Sequence, residues 1–122
     1  MRRDLWAHAA LCASNVKKDD DAMRRATGLA VDLRNLGLVR GLEWLAIKPG
    51  GKEVRAGVLR ALDVPESAVG ATIRGWSRTR LLAAHGRAIE FAEALHLLVK
   101  AEKIEKAEKA EPANRATKEV RS

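Results

Sequence analysis

The chain has 122 residues, with 23 Lys and Arg against 16 Asp and Glu, for a formal net charge of +7. Hydrophobic residues make up 47%, which excludes a chain disordered throughout. Aromatics at 3%, with no Tyr, disfavour a strand-rich fold. The single cysteine, Cys12, allows no intrachain disulfide and fits a reducing compartment. A pI near 10.1 favours polyanionic partners, nucleic acid before an acidic protein or a membrane surface. No apolar run approaches the roughly 20 residues of a membrane span. Asp4 and His8 also interrupt the N-terminal stretch before a signal-peptide core can form, so a cytoplasmic protein without membrane contact is expected.

Taken in chain order, Arg2 to Val16 places Leu5, Ala9, Cys12 and Val16 at steps of four, three and four, one helix face that Trp6, Ala10 and Ala13 widen. Leu11 falls off that face. Lys17 to Asp21 is a polar break whose aspartates suit the capping of a second helix, about Asp21 to Leu36. Gly37 stands where that helix would close, and a third follows from about Val39 to Ile47. Pro49-Gly50-Gly51 is the clearest break. Lys52 to Leu62 is again amphipathic, with Val54, Val58, Leu59 and Leu62. Pro65 suits the first turn of a short helix carrying Val69, Ile73 and Trp76, made irregular by Gly70 and Gly75. Ser77 is a plausible cap for the last helix. Its seam is Leu81, Ala84, Ala88, Phe91, Leu95 and Leu98, widened by Leu82, Ile89, Ala92 and Val99. The Glu-Lys run after Glu102 extends it, with Glu102 and Glu105 each four residues before a lysine, until Pro112. The expected fold is therefore all-α: one compact bundle of about five to six helices over 1–111, with a long C-terminal helix, and a disordered tail over 112–122.

Reactive groups do not converge. His8, His85 and His96 show no metal-ligand spacing, and no second cysteine completes a zinc site. Cys12 on an apolar face is expected to be a buried, inert thiol. Gly50-Gly51-Lys52 lacks the spacing and hydroxyl of a phosphate loop. Glu90 and Glu93 are a turn apart and expected on the solvated surface. Trp6, Trp44 and Trp76 could stack on bases but each lies on or beside an apolar face, where packing is expected. Neither an enzymatic role nor a cofactor is expected.

Arg74, Arg78, Arg80 and Arg87 fall within fourteen residues, and no acid occurs from Ser67 to Ile89. Arg80 and Arg87, seven apart, share a side. Guanidinium forks match phosphate oxygens, so these four are expected to form a phosphate-contacting strip, extended by Arg24 and Arg25. Such a strip binds with little sequence reading and strong salt dependence.

Two stretches carry a resemblance. Gly28 to Leu45 reads as a helix, an Asn35-Leu36-Gly37-Leu38 corner and a second helix ending on Trp44. Arg80-Leu81-Leu82 precedes Ala88-Ile89-Glu90-Phe91-Ala92-Glu93-Ala94-Leu95. Both resemble the small α-helical subunit of type III-B (Cmr) CRISPR RNA-guided effector complexes. The chain departs from that family where Ala30 and Val31 replace a frequent proline, and Thr79 a frequent aromatic. The resemblance implies a non-catalytic subunit acting in antiviral defence. Such subunits stack in several copies along the belly of the complex, beside backbone and large subunits, and line a basic groove next to the guide RNA and its target RNA. Arg80 is the basic residue carried over by motif. Two other readings compete: a helical protein-interaction adaptor, and a DNA-binding regulator with Val39 to Ile47 as recognition helix. That helix holds Trp44, Leu45 and Glu43 and one arginine, a poor face for reading a major groove.

Overall fold

Among the described residues the apolar steps of three and four are realised as five α-helices: α1 (Arg3–Val16), α2 (Asp20–Ile47), α3 (Gly51–Ala61), α4 (Val69–Arg74) and α5 (Arg78–Ala110). The computed structural model describes residues 3–110, with side chains described as far as Glu102. The tail expected over 112–122 lies outside the described residues, as do Arg2 and the side chains of the Glu-Lys run. The described fold is all-α, with a long C-terminal helix.

The two helices expected on either side of Gly37 are the halves of α2. Gly37 adopts φ 80°, ψ 171°, a conformation that only glycine takes readily. It turns Leu38, Leu42 and Leu45 back onto the core, where all three are buried. Asp19 caps α2, its carboxylate accepting the Asp21 N–H at 2.9 Å. The break after α2 packs tightly onto that same N-terminus. Gly50 is left-handed at φ 76°, and a Cβ there would lie 2.2 Å from the Asp21 carbonyl carbon, so no side chain fits.

α5 packs along α2 and α1, and α3 packs against α1 and α2. Phe91, fully buried, occupies the centre with Leu5, Cys12, Leu29, Leu33, Val54, Val58 and Leu95. α3 closes with a turn the sequence did not announce. Asp63 is left-handed (φ 57°), its N–H bonds to the Arg60 carbonyl, and the Val64 N–H reaches Leu59 at 2.9 Å. This is the paired bonding that ends many helices, with Asp standing where Gly is usual. Pro65 then precedes a single 3-10 turn (Glu66–Ala68) leading into the short α4.

Three apolar assignments need correction, and one of them is Ala10, expected to widen the α1 face and in fact exposed. Leu82, expected to widen the α5 seam, is 63% exposed, because the second half of α2 turns at Gly37 and leaves a depression beside it. Trp6, expected to widen the α1 face, is 43% exposed. It stands one residue beyond Leu5, off the buried face of α1. Leu11 is exposed, as its position off the face implied.

Candidate nucleic-acid interface

The corner between α4 and α5 collects the arginines. Gly75 ends α4 with its N–H on the Ala71 and Thr72 carbonyls, and the Trp76 N–H bonds to Ile73 at 3.0 Å. Ser77 starts α5 as expected: its Oγ accepts the Arg80 N–H at 3.1 Å, and its carbonyl accepts the Leu81 N–H at 2.9 Å. This two-hinged turn holds Arg74, Arg78 and Arg80 at exposed positions close together in the chain. Arg74 Nε donates back to the Gly70 carbonyl at 3.1 Å. The Arg80 guanidinium sits 5.2 Å from the centre of the Trp76 ring. Neither these three nor the exposed Arg40 is ion-paired with a carboxylate among the described residues.

The arginines ring the corner rather than line up. Arg78, Leu82 and His85 follow one face of α5, since residues four and three apart stack there. Arg40 lies beside Leu81, Leu82 and His85 across the depression left by the kink. Arg80 and Arg87 face the other flank, where they line a groove with Trp76. Arg74 borders a third hollow together with Arg55 and Glu43. Nothing in the sequence marks Arg40 as part of this cluster. It lies far from the acid-free stretch, and only the turn at Gly37 brings it to α5.

Arg87 plays a different part from its neighbours. Its side chain is 25% exposed and bonded to the Asp4 carboxylate, while its Nε donates to the Ala61 carbonyl at 2.8 Å. The hydrogen bond from Arg87 to Asp4 is the main reason the Asp4 carboxyl is held below its ordinary value. The stretch from Ser67 to Ile89 contains no acid, yet α1 supplies one from 83 residues away. Arg87 thus ties α5 to α1 and to the end of α3, with its charge balanced locally.

Arg24 and Arg25 do not extend the cluster. The Thr27 carbonyl meets His96 Nδ1 at 3.0 Å, and Arg34 pairs with Glu93 at 2.6 Å, so the first half of α2 runs antiparallel to the far half of α5. At 1.5 Å per residue, the level of His96 is about 27 Å along α5 from Arg78. At that end Arg24 approaches Asp21 at 3.6 Å. Arg25 donates to the Pro49 carbonyl at 3.3 Å and lies 5.8 Å from the Trp44 ring centre. Lys48 covers the same ring at 4.3 Å. Trp44 is half-buried, with an indole N–H that meets no hydrogen-bond partner among the described residues.

The remaining reactive groups stay apart. Cys12 is fully buried, and burial pushes its thiol up to about 12, which leaves a packed thiol rather than a nucleophile. Glu93 is engaged with Arg34. His96 meets a backbone carbonyl. Among the described residues no group of three or more His, Cys, Asp or Glu side chains could hold a metal ion. No helix among them is long and apolar enough to cross a membrane. Comparison with models of known families, with curated proteins and with solved structures finds no match for the chain.

Proposed function

We propose that this chain is a non-catalytic small subunit of a type III CRISPR ribonucleoprotein effector complex, of the Cmr kind, that contacts guide and target RNA through phosphates. The observation that carries the reading is the ring of Arg40, Arg74, Arg78 and Arg80 at the α4–α5 corner, exposed and without described carboxylate partners. Four guanidinium groups around one end of a rigid bundle suit a backbone followed by charge rather than by sequence. Exposed apolar residues leave room for neighbouring subunits: Val39 and Leu82 beside the kink, Val31 and Leu97 further along the α2–α5 seam. The same apolar surface favours the second reading, a protein-interaction adaptor, which differs in needing no RNA.

The test is binding of the full chain to a labelled single-stranded RNA across a salt series. Each phosphate contact to a single strand contributes about 0.7 to the slope of log affinity against log salt. Replacing Arg78 and Arg80 together by Gln is expected to lower that slope by about 1.4 and to weaken binding at every sequence. A double variant that binds with the parental slope and affinity would remove the α4–α5 corner from the interface.

A further inference from the structure

Beside the exposed arginines, the flank of α5 that faces α1 and the end of α3 carries a groove of about 440 Å³. Trp76 and Arg80 form one end and Arg87 and Glu90 the other, with Ala83 and Gly86 along the floor. Its size falls within the roughly 300–1,000 Å³ of clefts that take small organic groups.

Gly86 is a glycine that neither backbone conformation nor packing requires. It lies inside α5, where glycine is the least favourable residue after proline. Its φ is not positive, so the backbone does not require it. A Cβ built there would meet nothing within 4 Å, so packing does not require it either. Its effect is to leave bare helix backbone on the groove floor, open to close approach by another molecule. The end wall suits a flat partner. Unpaired bases stack on guanidinium planes as well as on aromatic rings, and the exposed Arg80 lying over the half-buried Trp76 ring offers such a platform. At the other end, Arg87 is oriented by Ala61 and Asp4. Those bonds use two of its five N–H donors and leave others for a base edge or a ribose. Arg80 and Arg87 are about 10 Å apart along the axis, a span that holds one nucleoside.

We propose that this groove takes one unpaired nucleobase of a single-stranded RNA, stacked against the Trp76–Arg80 platform over Gly86. This rests on the reading of the arginine corner as an RNA interface and adds a base-holding subsite to it. The base is held by shape and stacking, so the site is tolerant of sequence.

The test compares three probes on the full chain: an oligoadenylate of about 12 nucleotides, an abasic ribose-phosphate oligomer of equal length, and AMP. Stacking of one base is worth about 5- to 150-fold in affinity, so the oligoadenylate is expected to bind more tightly than the abasic oligomer by a factor in that range. Gly86→Leu fills the floor without meeting a neighbour at its Cβ. It is expected to abolish the preference while leaving affinity for the abasic oligomer unchanged. Trp76→Leu is expected to abolish the preference too, and Gly86→Leu decides the matter if the half-buried Trp76, which also supports Arg80, proves necessary for folding or for the phosphate contacts. Equal binding of the two oligomers by the parent chain would overturn the base site and leave the phosphate interface standing, as would an intact preference in Gly86→Leu. AMP binding as tightly as the oligoadenylate would make the groove a free-nucleotide site and overturn the strand assignment. Binding of neither oligomer would remove the RNA interface and this subsite with it.

Discussion

Two glycines inside helices test the packing that holds α5 in place. Gly57, in α3, is buried where α1, α3 and α5 meet. A Cβ there would lie 2.5 Å from Cys12 Sγ, 3.0 Å from Cys12 Cβ and 3.1 Å from Phe91 Cζ. Ordinary contacts between such atoms are about 3.5–4.0 Å. Cys12 and Phe91 are both fully buried, so neither can swing away. Gly86, in α5, has open space around the same position. Replacing either by Ala brings the same helix-propensity gain, about 0.5–1 kcal/mol, so that contribution cancels in the comparison. What remains is the strain of an extra methyl in a filled core, about 1–3 kcal/mol. Gly86→Ala is therefore expected to stabilise the chain, and Gly57→Ala to fall below it by about 1–3 kcal/mol. Urea unfolding followed by circular dichroism measures both, with a shared m-value as the condition for comparing midpoints. A difference smaller than about 0.5 kcal/mol, the ordinary scatter of additivity, would mean that the three helices do not meet as described.

Two further outcomes follow from the buried thiol and the Arg87 link. Burial holds the Cys12 thiol up to about 12, so at about pH 8 a thiol reagent should modify it only as fast as the chain unfolds, and quickly once denaturant is added. Immediate modification of the folded chain would contradict the packing of α1. The Asp4 carboxyl is held below its ordinary value of 3.8 by the Arg87 hydrogen bond. The stability it lends is fully present above that ordinary value and is lost as pH falls through the lowered folded value. Asp4→Asn should therefore flatten the acid limb of a stability–pH profile, and an unchanged limb would show that Asp4 and Arg87 are not joined.

Much of the fold was legible because its signals are local. A cap needs an oxygen next to free N–H groups, and Asp19 and Ser77 supply it. A reversal between two apolar periods needs a positive φ, and Gly37 provides one. The α5 seam could be read from spacing because Ala88, Phe91 and Leu95 share a face whatever covers it. What covers it is not local. Leu82 continues the seam in sequence, yet α2 has already turned away at its level. Arg87 reads as a free cation in an acid-free stretch, yet its partner Asp4 arrives from the other end of the chain. The candidate site divides in the same way. Arg74, Arg78 and Arg80 are neighbours through one turn, which a linear count of charges detects. Charge alone groups Arg24 and Arg25 with them, and the antiparallel course of α2 carries them to the opposite end. Arg40 joins only through tertiary packing, and no spacing rule connects it to α5. Gly86 gave no signal in the sequence, because a helical glycine is informative only once the space around it is known.

The most direct test of the proposed role is recovery of the tagged full chain from its native host, with the co-purifying proteins and RNA identified together. The expected result is a set of larger CRISPR-type subunits with a short guide RNA of discrete length, lost or weakened when Arg78 and Arg80 are both replaced by Gln. Recovery of the chain alone, or with one unrelated protein and no RNA, would contradict it and leave the adaptor reading in its place.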